Sequence, residues 1–178
     1  GVGLHAAMGI LAALHQRLKT GRGQRVETVM QGVMANLCRI TYQVQLMRGK
    51  SPDRVGNVSR AGAAPSNIFR CKPGGPNDYV FVNISRGANA HWPRLLSAIG
   101  REDLVDDARF STPQTRLEHC AEAELIIAAW CAEHTKIAAM EAIQRAGAPA
   151  GAVFDARELA EDQHLRKRGM FATIVHPA

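Results

Sequence analysis

The feature that most constrains this fold is a helix followed by a glycine turn, a short β-branched segment and a second helix. Gly21 predicts the end of the first helix, because glycine adopts the positive φ of a C-terminal cap without a Cβ clash. The alternation over 25–30 predicts a strand, and 32–47 predicts the second helix. Apolar residues at three- and four-residue steps predict a buried stripe on the first helix: Leu4, Met8, Leu11, Leu14 and Leu18.

Gly32 lies where the predicted strand ends and the second helix begins. In α/β proteins, ligands and catalytic groups gather at such turns, and the first backbone N–H groups of the helix can hold an anion. We therefore expect the bend between Met30 and Val33 to line a cleft.

Composition favours a globular protein over a disordered, nucleic-acid-binding or membrane protein. Of 178 residues, 46% are hydrophobic, enough to build a core. The formal charge is +6, but the basic residues are scattered and interleave with few aromatic residues. No apolar run is long enough to predict a membrane span.

The cysteines and histidines predict no metal site, because the four cysteines form no CxxC pair and have no histidine at ligand spacing. We interpret the cysteines as reduced thiols of a cytoplasmic protein. No histidine predicts a catalytic cluster, and we interpret His5 as a packed or surface residue of the first helix.

The chain divides into four predicted regions: 1–48 in a large domain, a linker over 49–77, a small domain over 78–147, and a return segment over 148–178. Strands are predicted near 68–71, 79–84, 153–154 and 170–175, and helices over 90–99, 112–133, 136–145 and 156–160. The chain opens on Gly1 without a cap residue. We therefore expect it to be the middle part of a longer protein that is poorly stable alone.

Several segments of this chain resemble, in the same order along the sequence, segments of the class III CoA-transferases (the CaiB/BaiF family), especially of the formyl-CoA:oxalate CoA-transferase branch. They are GILAALHQRLKTGRGQRVETVMQGVMANLCR (9–39), RVGN (54–57), Pro65, FRCK (69–72), GAPAGAV (147–153) and RELAED (157–162). The resemblance implies an α/β fold in which part of a Rossmann-like large domain is joined by a linker to a small α/β domain.

The same resemblance implies the chemistry. Family members move CoA from an acyl-CoA thioester to a free carboxylic acid, as interlocked homodimers with no bound cofactor. Their nucleophile is an aspartate, which attacks the thioester carbonyl to form a mixed anhydride. Gly32 stands at that position and has no side chain to perform the attack.

Three interpretations of Gly32 stay open. The catalytic residue is lost, which leaves a disabled transferase or an acyl-CoA-binding relic. Alternatively Glu27 substitutes, although a strand residue five positions away points elsewhere. In the third interpretation the exchange runs without a covalent intermediate, and the helix-start N–H groups hold the thioester oxygen. A racemase or isomerase acting on 2-methylacyl-CoA is a further alternative function.

The candidate substrate- and CoA-binding residues are Gln31, Arg54, Arg60 and Gly62. The two arginines would face an acceptor carboxylate or a CoA phosphate, and a plain surface position is the alternative. The formyl-CoA branch carries consecutive glycines in the linker, whereas this chain reads SRAGAAP over 59–65. Alanine lacks the conformational range of glycine, which weakens formyl-CoA and oxalate as the expected substrates.

Overall fold

The computed structural model describes residues 1–57, 64–84 and 89–174 and divides the chain into two compact units, Gly1–Arg54 and Val55–Ala178. The first unit holds α1 (Val2–Thr20), α2 (Met30–Leu37) and α3 (Arg39–Arg48). Gly21 ends α1 with φ 70°, and its N–H donates to the carbonyl of Arg17. The predicted glycine stop of the first helix is confirmed.

The predicted buried stripe of α1 is wrong. The side chains of its five residues are 48–86% exposed (Leu4, Met8, Leu11, Leu14 and Leu18). The inner face of α1 is instead a row at four-residue spacing: Gly1, His5, Gly9 and Ala13. Ala13 is the buried residue of this helix. Gly1 and Gly9 leave room in this row for neighbouring side chains, since a Cβ on Gly9 would lie 2.7 Å from Val26 Cγ1.

Two further expectations for the first unit are wrong. Residues 25–29 do not form a strand, since no partner strand pairs with them within the described ranges. Val29 has an extended backbone but belongs to no sheet. The predicted helix over 32–47 is two helices, which meet at Cys38. Helix α2 begins at Met30, so Gly32 falls inside its first turn.

The second unit contains a three-stranded antiparallel sheet in the order β1 (Ser66–Arg70), β2 (Tyr79–Asn83) and β3 (Ala150–Ala152). Phe81 at its centre pairs with Ile68 on one side and Gly151 on the other. The first two strands are confirmed. The third precedes its predicted position at 153–154, and residues 170–174 form no strand.

The helices of the second unit are α4 (His91–Ala98), α5 (Pro113–Glu118), α6 (Cys120–Ala132), α7 (Lys136–Arg145), α8 (Ala156–Glu161) and α9 (Gln163–Lys167), with a 3₁₀ turn at Glu102–Leu104. Thr112, Thr135 and Asp155 cap α5, α7 and α8 as predicted. The predicted helix over 112–133 breaks at His119. Helix α9, capped by Asp162, had no predicted counterpart. No helix in the described ranges is long and apolar enough to cross a bilayer.

One hydrophobic core lies between the sheet and helices α4, α6 and α7. Its fully buried members include Val80, Val82, Trp92, Leu95, Leu96, Phe110, Ile127 and Ile143. The rings of Trp92 and Phe110 lie 5.7 Å apart in a tilted pair, a favoured aromatic geometry. The small α/β unit therefore has a core of its own.

Buried Arg116 on α5 links three loop segments of this unit through hydrogen bonds. Its guanidinium donates to the carbonyls of Phe110 (2.7 Å) and Ala64 (3.3 Å) and to Asn89 Oδ1 (2.8 Å). It also lies 5.4 Å from the ring of Trp92. Three oxygen acceptors and a ring face compensate a charge that is 1% exposed.

Buried Lys136 fixes the return segment. Its Nζ donates to Glu158 (2.7 Å) and to the carbonyls of Asn77 and Val153 (both 3.0 Å). The hydrogen bond from Lys136, followed by one from the backbone N–H of Asp155, lowers the pKa of Glu158 from its ordinary value to about 2. Helix α8 is thereby held to α7 and to the loop before β2.

Replacing Ile127 with alanine is expected to lower the free energy of unfolding of the second unit by about 3 kcal/mol, because it leaves a cavity in the core. Leu125→Ala on the same helix removes a side chain that is 71% exposed and should change it by less than about 0.5 kcal/mol. Tryptophan fluorescence during urea denaturation measures both, since Trp92 and Trp130 belong to this unit. Equal losses would contradict this core.

The ion pair of Glu158 predicts a pH dependence. Because the folded-state pKa is lowered to about 2, its stabilisation is complete above the unfolded pKa and is lost as pH falls toward 2. The wild-type unfolding free energy should therefore fall more steeply between about pH 5 and pH 3 than that of Glu158→Gln. Denaturation at several pH values, with exposed Glu161→Gln as the matched control, measures this. Parallel profiles for wild type and Glu158→Gln would contradict the ion pair.

Candidate functional site

The first unit contains an open groove of about 310 Å³, here called the Gly32 cleft. Helix α1, the segment before α2 and helix α2 itself line it: His5, Gly9, Val26, Glu27, Thr28, Val29, Gly32, Val33 and Asn36. The sequence predicts a bend between Met30 and Val33, but the structure places these residues in the first turn of α2, and no strand precedes that helix within the described residues. Gly32 and Val33 line the groove.

The close approach of Val26 to α1 forms the floor of the cleft. A Cβ on Gly9 would lie 2.7 Å from Val26 Cγ1, far inside van der Waals contact. At the start of the inner row, a Cβ on Gly1 would lie 3.4 Å from Leu37 Cδ1 and 3.5 Å from Val33 Cγ1. The absence of a side chain at Gly9 therefore sets the distance between α1 and residues 26–29.

Gly32 differs from Gly9, because space lies beside it. It is exposed in the first turn of α2, and a Cβ there would come no closer than 4.0 Å to Val29 Cβ, an ordinary contact. The helix-start residue Val29 offers no side-chain acceptor, and the N–H groups of a first turn have no intrahelical acceptor. A carboxylate at residue 32 would thus meet room and a favourable helix end.

His5 and Asn36 bring polar groups to the same cleft. His5 Nδ1 lies 2.9 Å from the carbonyl of Gly1, which can only accept, so Nδ1 carries the proton. In the neutral ring, Nε2 then accepts from Asn36 Nδ2 over 3.4 Å. Sequence reasoning missed this role, and the four-residue spacing of His5, Gly9 and Ala13 was the signal for a shared inner face.

Glu27 also lines the cleft, five residues before Gly32. Its carboxylate lies 3.1 Å from the guanidinium of Arg25, and both side chains are mostly exposed. The other predicted site residues are less central. Gln31 neighbours Gly32 but is exposed and absent from the cleft lining, and Arg54 is exposed at the end of the unit. Arg60 and Gly62 lie outside the described residues.

Two of the buried thiols, those of Cys71 and Cys131, are unsuited to nucleophilic catalysis. Burial raises the pKa of Cys131 to about 12 and also raises that of Cys71, whose thiol contacts it. A catalytic cysteine needs the opposite shift. Within the described ranges, no group of three His, Cys, Asp or Glu side chains is arranged to hold a metal ion.

Comparison with known proteins assigns the chain to a family. The model of CoA-transferase family III matches residues 1–178. Curated relatives include the formyl-CoA:oxalate CoA-transferases of Streptomyces avermitilis (37% identical) and Streptomyces coelicolor (35%). Each alignment covers 99% of this chain but only 46% and 45% of the relative. The chain thus spans about half the length of the curated relatives it matches.

Solved structures share the fold. A CaiB/BaiF family protein from Brucella suis superimposes with a TM-score of 0.74 at 24% identity, over 95% of this chain and 43% of that one. Rv3272 from M. tuberculosis gives 0.73 at 24% identity, over 92% and 40%. At this identity the likeness concerns the fold alone, and it supports the α/β assignment.

Adding a methyl group at Gly9 is expected to open the cleft floor. Gly9→Ala should push Val26 away and destabilise the first unit by about 1–3 kcal/mol, whereas Gly3→Ala on the same helix meets nothing within 4 Å and should not destabilise it. Hydrogen–deuterium exchange of peptides from residues 1–37 measures the difference, because both tryptophans lie in the other unit. Equal protection in the two variants would contradict the close approach.

Proposed function

Because this chain belongs to CoA-transferase family III, we propose that the Gly32 cleft receives the reacting end of an acyl-CoA thioester. In this proposal the protein moves CoA between that thioester and a free carboxylic acid. The observation that carries it is the position of Gly32. It stands where the resemblance places the nucleophilic aspartate, in the first turn of a helix and on the wall of a cleft.

The missing carboxylate makes the proposed transferase a weak one. In the aspartate route the carboxylate attacks the thioester carbonyl, a mixed anhydride forms and CoA thiolate leaves. The thiolate then attacks the aspartyl carbonyl, which releases the donor acid and leaves CoA on the enzyme. Gly32 supplies no oxygen for this attack, so we expect the wild-type rate to be low. An acyl-CoA-binding protein without catalysis is the second candidate, favoured by the same residue.

The names of the relatives suggest the first substrates to test. They are formyl-CoA:oxalate CoA-transferases, so formyl-CoA with oxalate is one donor–acceptor pair. Alanines at positions 61, 63 and 64 replace the consecutive glycines of that branch, so our proposal extends to acyl-CoA and carboxylates in general. Arg54, Arg60, Gln31 and Gly62 are proposed to contact CoA or the acceptor.

The proposal also includes an assembly and a location. We propose an interlocked homodimer, as the resemblance implies, and the exposed apolar side chains of α1 offer surface for such packing. The reduced state of the described cysteines favours a cytoplasmic location.

Gly32→Asp is expected to raise the rate of CoA exchange by about 100-fold or more, because it supplies the nucleophile in a position with room for a side chain. Gly32→Asn has nearly the same shape without the carboxylate and should give no such gain. The assay follows new acyl-CoA by chromatography, with protein expressed from the complete open reading frame. A folded Gly32→Asp protein that exchanges no faster than Gly32→Asn would overturn the assignment of residue 32.

A further inference from the structure

We propose that in the wild-type protein the acceptor carboxylate itself occupies the space beside Gly32 and attacks the acyl-CoA thioester directly. This inference rests on the proposed function and specifies how the same site works without its aspartate. The ligand class is a small, free carboxylate that binds in the cleft together with the thioester end of acyl-CoA.

The geometry beside Gly32 suits such an occupant. Beyond Cα, an aspartate side chain has the size of acetate, and its first carbon would meet nothing closer than Val29 Cβ at 4.0 Å. The cleft of about 310 Å³ is roughly ten times the share of liquid volume of one water, about 30 Å³. It therefore has room for a small carboxylate beside the carbonyl that it attacks.

Polar side chains that line the cleft can orient the carboxylate. Asn36 carries two amide N–H donors and directs one to His5 Nε2, which leaves a second donor on the wall that also holds Gly32. Thr28 contributes a hydroxyl to the same lining. Glu27 is the carboxylate in the cleft lining, and its charge is countered by Arg25 at 3.1 Å.

The reaction balances without a protein nucleophile. An oxygen of the acceptor carboxylate bonds to the thioester carbonyl carbon, the C–S bond breaks, and CoA leaves as the thiolate. The thiolate then attacks the acceptor carbonyl of the mixed anhydride and breaks its C–O bond. The products are the acceptor acyl-CoA and the donor acid, which now carries one oxygen from the acceptor. If Glu27 were the nucleophile, the first donor acid released would carry an oxygen from the protein.

Single-turnover oxygen tracing distinguishes these routes. Protein from the complete open reading frame, in excess over acyl-CoA, is mixed with acceptor labelled in both carboxylate oxygens with ¹⁸O. The pairs are acetyl-CoA with propionate and formyl-CoA with oxalate. We expect wild type to form the acceptor acyl-CoA and to release donor acid with one labelled oxygen, read by mass spectrometry. Gly32→Asp should release unlabelled donor acid in its first turnover.

Gly32→Asn is the matched control, because it fills the same space without a nucleophile and should lose the exchange seen in wild type. Its thermal unfolding, compared with that of Gly32→Asp, shows whether the fold is intact. Exchange by wild type with unlabelled donor acid would overturn direct attack while leaving the proposed function standing. Exchange by Gly32→Asp but not by wild type would likewise overturn direct attack and leave the proposed function standing. Exchange by neither protein would overturn both.

Discussion

The structure of the first unit depends on the close approach of α1 to residues 26–29 and to α2. Gly9 in the inner row of α1 permits this close approach. A methyl group at residue 9 would overlap Val26 by more than half an ångström relative to ordinary contact. This approach brings His5 opposite Asn36 and places Gly32 on the facing wall. One glycine thus determines both the helix packing and the width of the cleft.

Sequence patterns predicted the helix caps better than they predicted the strands or the buried faces. Gly21 and the caps Thr112, Thr135 and Asp155 were predicted because capping chemistry is local. The leucine stripe of α1 was misassigned because periodicity identifies an apolar face without identifying what packs on it. The strand over 25–30 failed for a related reason, since a β-pattern becomes a strand only where a partner pairs with it.

The candidate site was partly predictable for the same physical reason. Gly32 could be placed near a helix start because helix starts have local signals, although α2 begins two residues earlier than the pattern predicted. The role of His5 could not be predicted, because its partner Asn36 lies 31 residues away. The buried cations Arg116 and Lys136 are similar cases: both lie among acceptors from separate elements, and neither the carbonyl of Ala64 nor that of Val153 has a sequence signature.

Gly9 and Gly32 show how a site can change its chemistry while its fold stays the same. A side chain at residue 9 meets a β-branched neighbour that cannot yield cheaply, so this glycine is structural. A side chain at residue 32 enters open space on an exposed first turn, so packing there neither requires glycine nor forbids aspartate. Replacing glycine with aspartate at residue 32 adds a carboxylate nucleophile, the reverse change removes it, and neither disturbs the surrounding contacts. In the proposed transferase, the reaction route therefore depends on which carboxylate stands beside residue 32, one carried by the chain or one brought by the substrate.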